Sequence, residues 1–168
     1  MNDTSHSNPA GQLSERIAGI RVAMLTTIAD DGRLHSRPMI SQEGPTDGSL
    51  WFFVNGTSPM ALGLELQPSL NLSYVNETTN CYVSVVGKGR LVYSQERIRT
   101  MWTPVVATWF PDGVNDENLT MIRVDVDEAD YWDGSAGRFI RLAGFVRGLL
   151  GDEAHPKVDR GHLDMRDG

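Results

Sequence analysis

The chain has 168 residues, 40% of them hydrophobic and 22% charged, with a formal net charge of −7. That length fits one domain able to bury a single core, and the composition excludes wholesale disorder. Lys and Arg are scattered through an acidic chain, which excludes a nucleic-acid binder that works through clustered phosphate contacts.

In chain order, residues 1–12 are polar, with Pro and Gly, and read as a flexible arm. The opening MNDTSHSNPAG has no basic segment followed by an apolar run, so no signal peptide is expected. No apolar stretch approaches the roughly 18 residues that span a membrane, and a cytoplasmic protein is expected. Ser14 followed by Arg16, Ile17 and Ile20 predicts a short helix with Ser14 near its cap. Val22 to Ala29 is a β-rich run, and Asp30-Asp31-Gly32 is a turn signal. Arg33 to Ser41 pairs back as a second strand, Gly44-Pro45-Thr46-Asp47-Gly48 turns again, and Leu50 to Val54 forms a third strand.

Ser58 to Gln67 turns helical, with Met60/Leu64 and Leu62/Leu66 at i,i+4 spacing, and stops before Pro68. Leu70, Leu72 and Tyr74 alternate with polar or exposed positions as in a half-buried strand. Tyr82 to Tyr93 is another strand, in which Gly87 and Gly89 predict a bulge or a close backbone approach. Just before it stands Cys81, the lone cysteine, which excludes an intrachain disulfide or thiolate metal cluster. Among strand-like neighbours it reads as an inert, half-buried thiol. Gln95 to Phe110 predicts a helix broken near Thr103-Pro104, and Asn118 to Asp127 a last alternating strand. Phe139, Leu142, Ala143, Val146 and Leu150 fall on one helical stripe, and residues 152–168 read as a mobile polar tail. About six strands with frequent turns must close on themselves to hide their edges. The expected architecture is mainly β with flanking helices: a small six-stranded antiparallel barrel over residues 13–151.

The usual catalytic signatures are missing: no phosphate-cradling glycine loop, no nucleophile elbow, no HExxH pair. His155 and His162 among Asp152, Glu153, Asp159 and Asp164 read as a solvated acidic tail, and no metal site is assigned. The pairs Asp30/Asp31 and Asp125/Asp127 fall on a turn and on an outward strand face. What remains suits a planar, anionic ligand. Trp102, Trp109 and Trp132 lie near turns or element ends, where rings can stack on a flat ligand or anchor a core or an interface. Arg37 interrupts the uncharged run Ser36-Arg37-Pro38-Met39-Ile40, and its guanidinium calls for an oxyanion partner. A bound phosphate and a neighbouring carboxylate would serve equally.

His35-Ser36-Arg37-Pro38-Met39 followed by Leu50-Trp51-Phe52-Phe53 resembles the general stress protein 26 group of the pyridoxamine 5′-phosphate oxidase-like split barrels. The likeness continues through Pro68 to Val75, Val83 to Arg90, Trp109 to Gly113 and Tyr131-Trp132-Asp133, covering roughly residues 13–151. It implies a six-stranded split β-barrel that binds FMN, with FAD as an alternative, at the interface of a homodimer with two sites built from both chains. It places Arg37 where the superfamily's arginine grips the FMN phosphate, and Ser58 where a phosphate-contacting serine opens the next helix. Main-chain groups of Phe53 and Val54 would meet the flavin ring. Ser36, Pro38, Met39, Phe52, Thr57 and Met60 complete the implied cofactor site, with Trp109 and Trp132 contributed by the partner subunit.

Two positions depart from the pattern. Family members often continue that serine with Arg-Lys or Lys, where this chain has Pro59-Met60. Gln42 stands where the true oxidase carries its substrate-phosphate lysine, so oxidation of pyridoxamine phosphate is not expected. The resemblance implies a flavin-binding general-stress-type protein, with oxidoreductase activity on a small molecule carried by the ring and no catalytic side chain assigned. The alternatives are a non-catalytic flavin-binding or stress-buffering protein, or the same barrel holding a deazaflavin or a haem, for which His35 is the candidate ligand.

Overall fold

Alternation decides where each strand faces. In the computed structural model, which describes residues 9–42, 47–134 and 159–165, Ala23 and Leu25 of strand β1 (Val22–Ile28) are buried while Val22 and Met24 are exposed. The turn at Asp30-Asp31-Gly32 brings the chain back into β2 (Leu34–Gln42), with Gly32 at φ +79° and Asp31 accepting from the Arg33 amide at 3.0 Å. Strand β3 (Leu50–Asn55) completes the expected meander. Helix α2 (Pro59–Leu66) follows, then β4 (Ser69–Asn76) and β5 (Cys81–Val92). Two short helices, α3 (Gln95–Met101) and α4 (Pro104–Ala107), are split where Thr103 caps the second. β6 (Leu119–Asp133) is the longest strand.

The strands pair antiparallel in the order β3-β2-β1-β4-β5-β6, and β3 also pairs with β6, which closes a six-stranded barrel. Phe52 and Val54 point into it with Leu25, Leu72, Tyr74, Val85 and Ile122, where each fully buried side chain contributes about 1.5–3 kcal/mol. Trp51 and Phe53, one residue out of phase, enter a second cluster with Ile98 of α3 and Val106 of α4. Gly87 sits at a register shift between β5 and β6, as its place in the strand predicts.

Three expectations need correction. The first helix, α1, runs Pro9–Ile17, so residues 9–12 belong to it and Ser14 lies inside it. Leu13 is buried in the barrel core with Ile17 and Ile20 packed beside it, and this anchoring holds the earlier turn. The polar tail contains a strand: β7 (Asp159–Asp164) pairs with β6 from Glu128 to Asp133. That stretch of β6 lies beyond its ladder with β3, and Leu163 is buried in the core. β6 itself runs six residues past the expected Asp127. The expected helical stripe from Phe139 to Leu150 lies outside the described residues.

A polar network ties the barrel's outer side. Asp47 accepts from the Ser49 amide at 3.0 Å and the Ser49 hydroxyl at 2.6 Å, and Trp51 Nε1 donates to Ser49 Oγ at 2.9 Å. Arg123 reaches the other Asp47 oxygen at 3.3 Å. The Ser49 hydroxyl, followed by the Ser49 amide and Arg123, holds the Asp47 carboxyl below its usual value against a smaller opposing effect of burial. A carboxylate whose folded pKa is depressed stabilises above its unfolded value near 3.8, and that contribution is lost as pH falls through the folded value. Asp47→Asn is expected to melt below the parent at pH 7, with the gap narrowing as pH falls from about 5 to below 3.8. A gap that stays constant across that range overturns this role.

Candidate functional site

β2 and β3 pair only at Ser41–Phe52 and Gln42–Trp51. Beyond that point the ladder stops and the barrel is split. Carried on, the same register would set Met39 opposite Val54 and Arg37 opposite Gly56, in the turn that leads from β3 to Ser58. β3 keeps its other edge, where Phe53 pairs with Met121 and Val54 with Thr120 of β6. The edge of β3 toward β2 is therefore free of ladder bonds from Phe53 onward.

Arg37 lies along this split, its cross-strand neighbour being the buried Leu25. Its Nη1 is buried and has no hydrogen-bond partner, and no carboxylate pairs with it among the described residues. Of the two partners the sequence left open, the carboxylate is not found among the described residues. Ser58 caps α2, accepting from the Ala61 amide at 3.3 Å, so its own proton is free to be donated. Thr57 instead donates both its hydroxyl (2.7 Å) and its amide (2.9 Å) to Asn55 Oδ1.

Next to the split, Met39, Ile40 and Gln42 of β2 and Phe53 of β3 form a cleft of about 140 Å3 with Val106, Trp109 and Phe110. Phe53 packs edge-on to Trp102, ring centroids 5.7 Å apart, and tilted to Phe110 at 6.4 Å. Trp109, 69% exposed, lines the cleft of its own chain, whereas the resemblance placed it on the partner. Tyr74 lies in the barrel core, its hydroxyl 3.5 Å from Ser41 Oγ. Burial pushes its pKa up to about 12, so it stays neutral and is no proton carrier near neutral pH. Burial likewise pushes the Cys81 thiol up, which keeps it inert.

The other predicted residues divide. Phe52 and Val54 bury their side chains in the core and offer only main chain. Ser36 and Pro38 are exposed one step out of phase with Arg37, and Ser36 bonds Thr26 at 2.7 Å. Met60 is partly buried against the core cluster. Trp132 lies in β6 opposite Tyr82 and Arg160, away from the cleft of its own chain, with the Arg160 guanidinium 5.7 Å from its ring centre. The sequence reading missed Ile40, Gln42, Val106 and Phe110 as cleft residues, because only the split brings β2 against α4. It also missed β7, which carries Arg160, Gly161 and His162 against β6, with His162 Nδ1 2.9 Å from Asp130.

Residues 8–155 match the sequence model of the family described as pyridoxamine 5′-phosphate oxidase like. The chain belongs to that family. A curated relative, Protein bli-3 of Neurospora crassa, is 26% identical over 148 residues, covering 82% of this chain and 71% of that protein. The fold of this pyridoxamine 5′-phosphate oxidase-like chain recurs in a Clostridium acetobutylicum protein related to general stress protein 26. There the TM-score is 0.68 at 14% identity, over 94% of this chain and 95% of that one. A general stress FMN/FAD binding protein of Xanthomonas citri has a TM-score of 0.63 at 26% identity, over 73% and 86% of the two chains.

Proposed function

We propose that the chain binds FMN at the split between β2 and β3, as a homodimer, and uses it in an oxidoreductase reaction on a small molecule. The observation that carries this is Arg37, a buried guanidinium nitrogen without a partner among the described residues, beside an open strand edge. A buried donor left unpaired costs about 1–3 kcal/mol or more, and a phosphate would satisfy it in bidentate fashion. The Ser58 hydroxyl proton and the Met60 amide at the start of α2 supply further donors for the same group. The X. citri protein supports the same reading by what it is named for. Pro59 offers no N–H and Met60 no charge, so Arg37 carries the electrostatic share of the grip.

Bound there, the flavin would supply hydride or electron transfer. This chain's residues bind and orient it: Arg37 and Ser58 hold the phosphate end, and the free main-chain edge at Phe53 and Val54 meets the polar rim of the ring. Met39 and the aromatic cluster around Phe53 exclude water. The test is the absorbance spectrum of the purified protein and a fluorescence titration with FMN. A colourless protein that leaves added FMN unquenched overturns the reading.

The dimer is supported by the outer sheet surface. Val22, Met24, Val75, Tyr82 and Val86 are exposed, each next to a buried residue of its strand, so the outer face of β1, β4 and β5 carries apolar side chains interspersed with Thr26, Asn71, Ser73 and Ser84. Exposed large apolar side chains gathered on one sheet face support an association site there. Light scattering at micromolar concentration is expected to give about twice 18.6 kDa. A value at 18.6 kDa overturns the dimer.

A further inference from the structure

Along β2, the phosphate-gripping Arg37 and the cleft residue Gln42 stand at opposite ends of the site. The cleft begins at Met39 and Phe53, which it shares with the flavin reading, and runs away from Arg37 to Gln42, Val106, Trp109 and Phe110. No charged side chain lines it among the described residues. Its polar side chain among the described residues, Gln42, donates an amide hydrogen to its own strand at Ile40 O (3.2 Å), and among those residues its carbonyl and second hydrogen have no partner. Trp109 offers an indole face that is largely in water.

We propose that this end of the cleft is the substrate subsite and takes a neutral, planar, single-ring aromatic compound with one amide-like or carbonyl group, while rejecting phosphorylated and carboxylated ligands. The size fits, since an apolar cavity of about 150 Å3 holds one benzene ring. A ring entering between Trp109 and Phe110 removes apolar surface from water on both sides and gains an offset or edge-on aromatic contact. Gln42 then pairs one polar group through its free carbonyl and hydrogen. An anion in the same place would give up its hydration with no cation in the lining to replace it, in a chain of net charge −7.

That the ligand is a substrate rests on the flavin reading; that the subsite selects by charge does not. The test uses FMN-saturated protein and three probes that share one ring: benzamide, benzoate and phenyl phosphate. Binding is followed by isothermal titration calorimetry, which reads every variant alike. Benzamide is expected to bind at least tenfold tighter than either anion. Gln42→Lys is expected to reverse that order, and Trp109→Ala, at an exposed position, to weaken benzamide at least fivefold without loss of fold. Phenyl phosphate binding the parent as tightly as benzamide overturns the proposal, as does an unchanged order in Gln42→Lys. Competition between benzamide and FMN also overturns it, by making the cleft the seat of the flavin ring. If FMN fails to bind at all and the order of probes still holds, the flavin reading falls and the charge selectivity stands.

Discussion

Arg37→Ala is expected to weaken FMN binding by about 1.5–3 kcal/mol, roughly ten- to 150-fold, the range for hydrogen bonds to a charged group. The guanidinium forms no ion pair or hydrogen bond among the described residues, so the substitution removes no polar contact of the empty chain. Arg37→Lys is expected to recover only part of the loss, because an ammonium is a point charge and cannot present two parallel donors to one phosphate. Riboflavin, which has no phosphate, is the control: its affinity is expected to stay the same in all three proteins. The FMN effect is expected to persist as salt rises, since the Nη1 position is buried and weakly screened. Fluorescence titration of the three proteins with both flavins measures it. Equal loss of FMN and riboflavin would make Arg37 a packing residue of β2, and no loss of either would place the phosphate elsewhere.

Much of the barrel is readable from period-two alternation and turn residues, because those act within a few positions. Ala23 and Leu25, Leu70 to Tyr74, the Asp31-Gly32 turn and the Ser58 and Thr103 caps each announce themselves locally. The first turn of α1 and the whole of β7 are not readable in that way. Leu13 and Leu163 each bring an isolated buried residue to a core assembled from distant strands, and the residues around them are polar. Nothing local distinguishes such a segment from a solvated tail. The site divides along the same line. An Arg in an uncharged strand is visible in the sequence as a cation needing an anion; whether a carboxylate answers it is a tertiary fact. The cleft depends on where the β2–β3 ladder stops, and no feature of Gln42 or Phe110 alone reports that. Met60 shows the converse. Sequence position puts it at the phosphate end of the site, while packing puts it against the barrel core.

Gly87→Ala is expected to destabilise the protein by about 1–3 kcal/mol, the range for forcing an extra methyl group into a packed interior. A Cβ at Gly87 would lie 2.5 Å from the main-chain oxygen of Asp125 and 3.1 Å from a Val124 methyl. The first contact is with backbone, in the strand paired to β5 at the register shift, so neither partner can move aside without breaking ladder bonds. In a chain of this length, that loss lowers Tm by about 3–10 °C. Gly63, in the middle of α2, is the matched control. A Cβ there meets nothing within 4 Å, and its φ is not positive. Gly63→Ala is expected to stabilise by about 0.5–1 kcal/mol, because Ala loses less backbone freedom in a helix. The two substitutions add the same atom, so their difference isolates the close approach of β5 and β6 from any general effect of adding a methyl group. Thermal melting of both variants decides it. If Gly87→Ala melts with the parent, β5 and β6 are further apart at the bulge than 2.5 Å implies, and the glycine is there for some reason other than space.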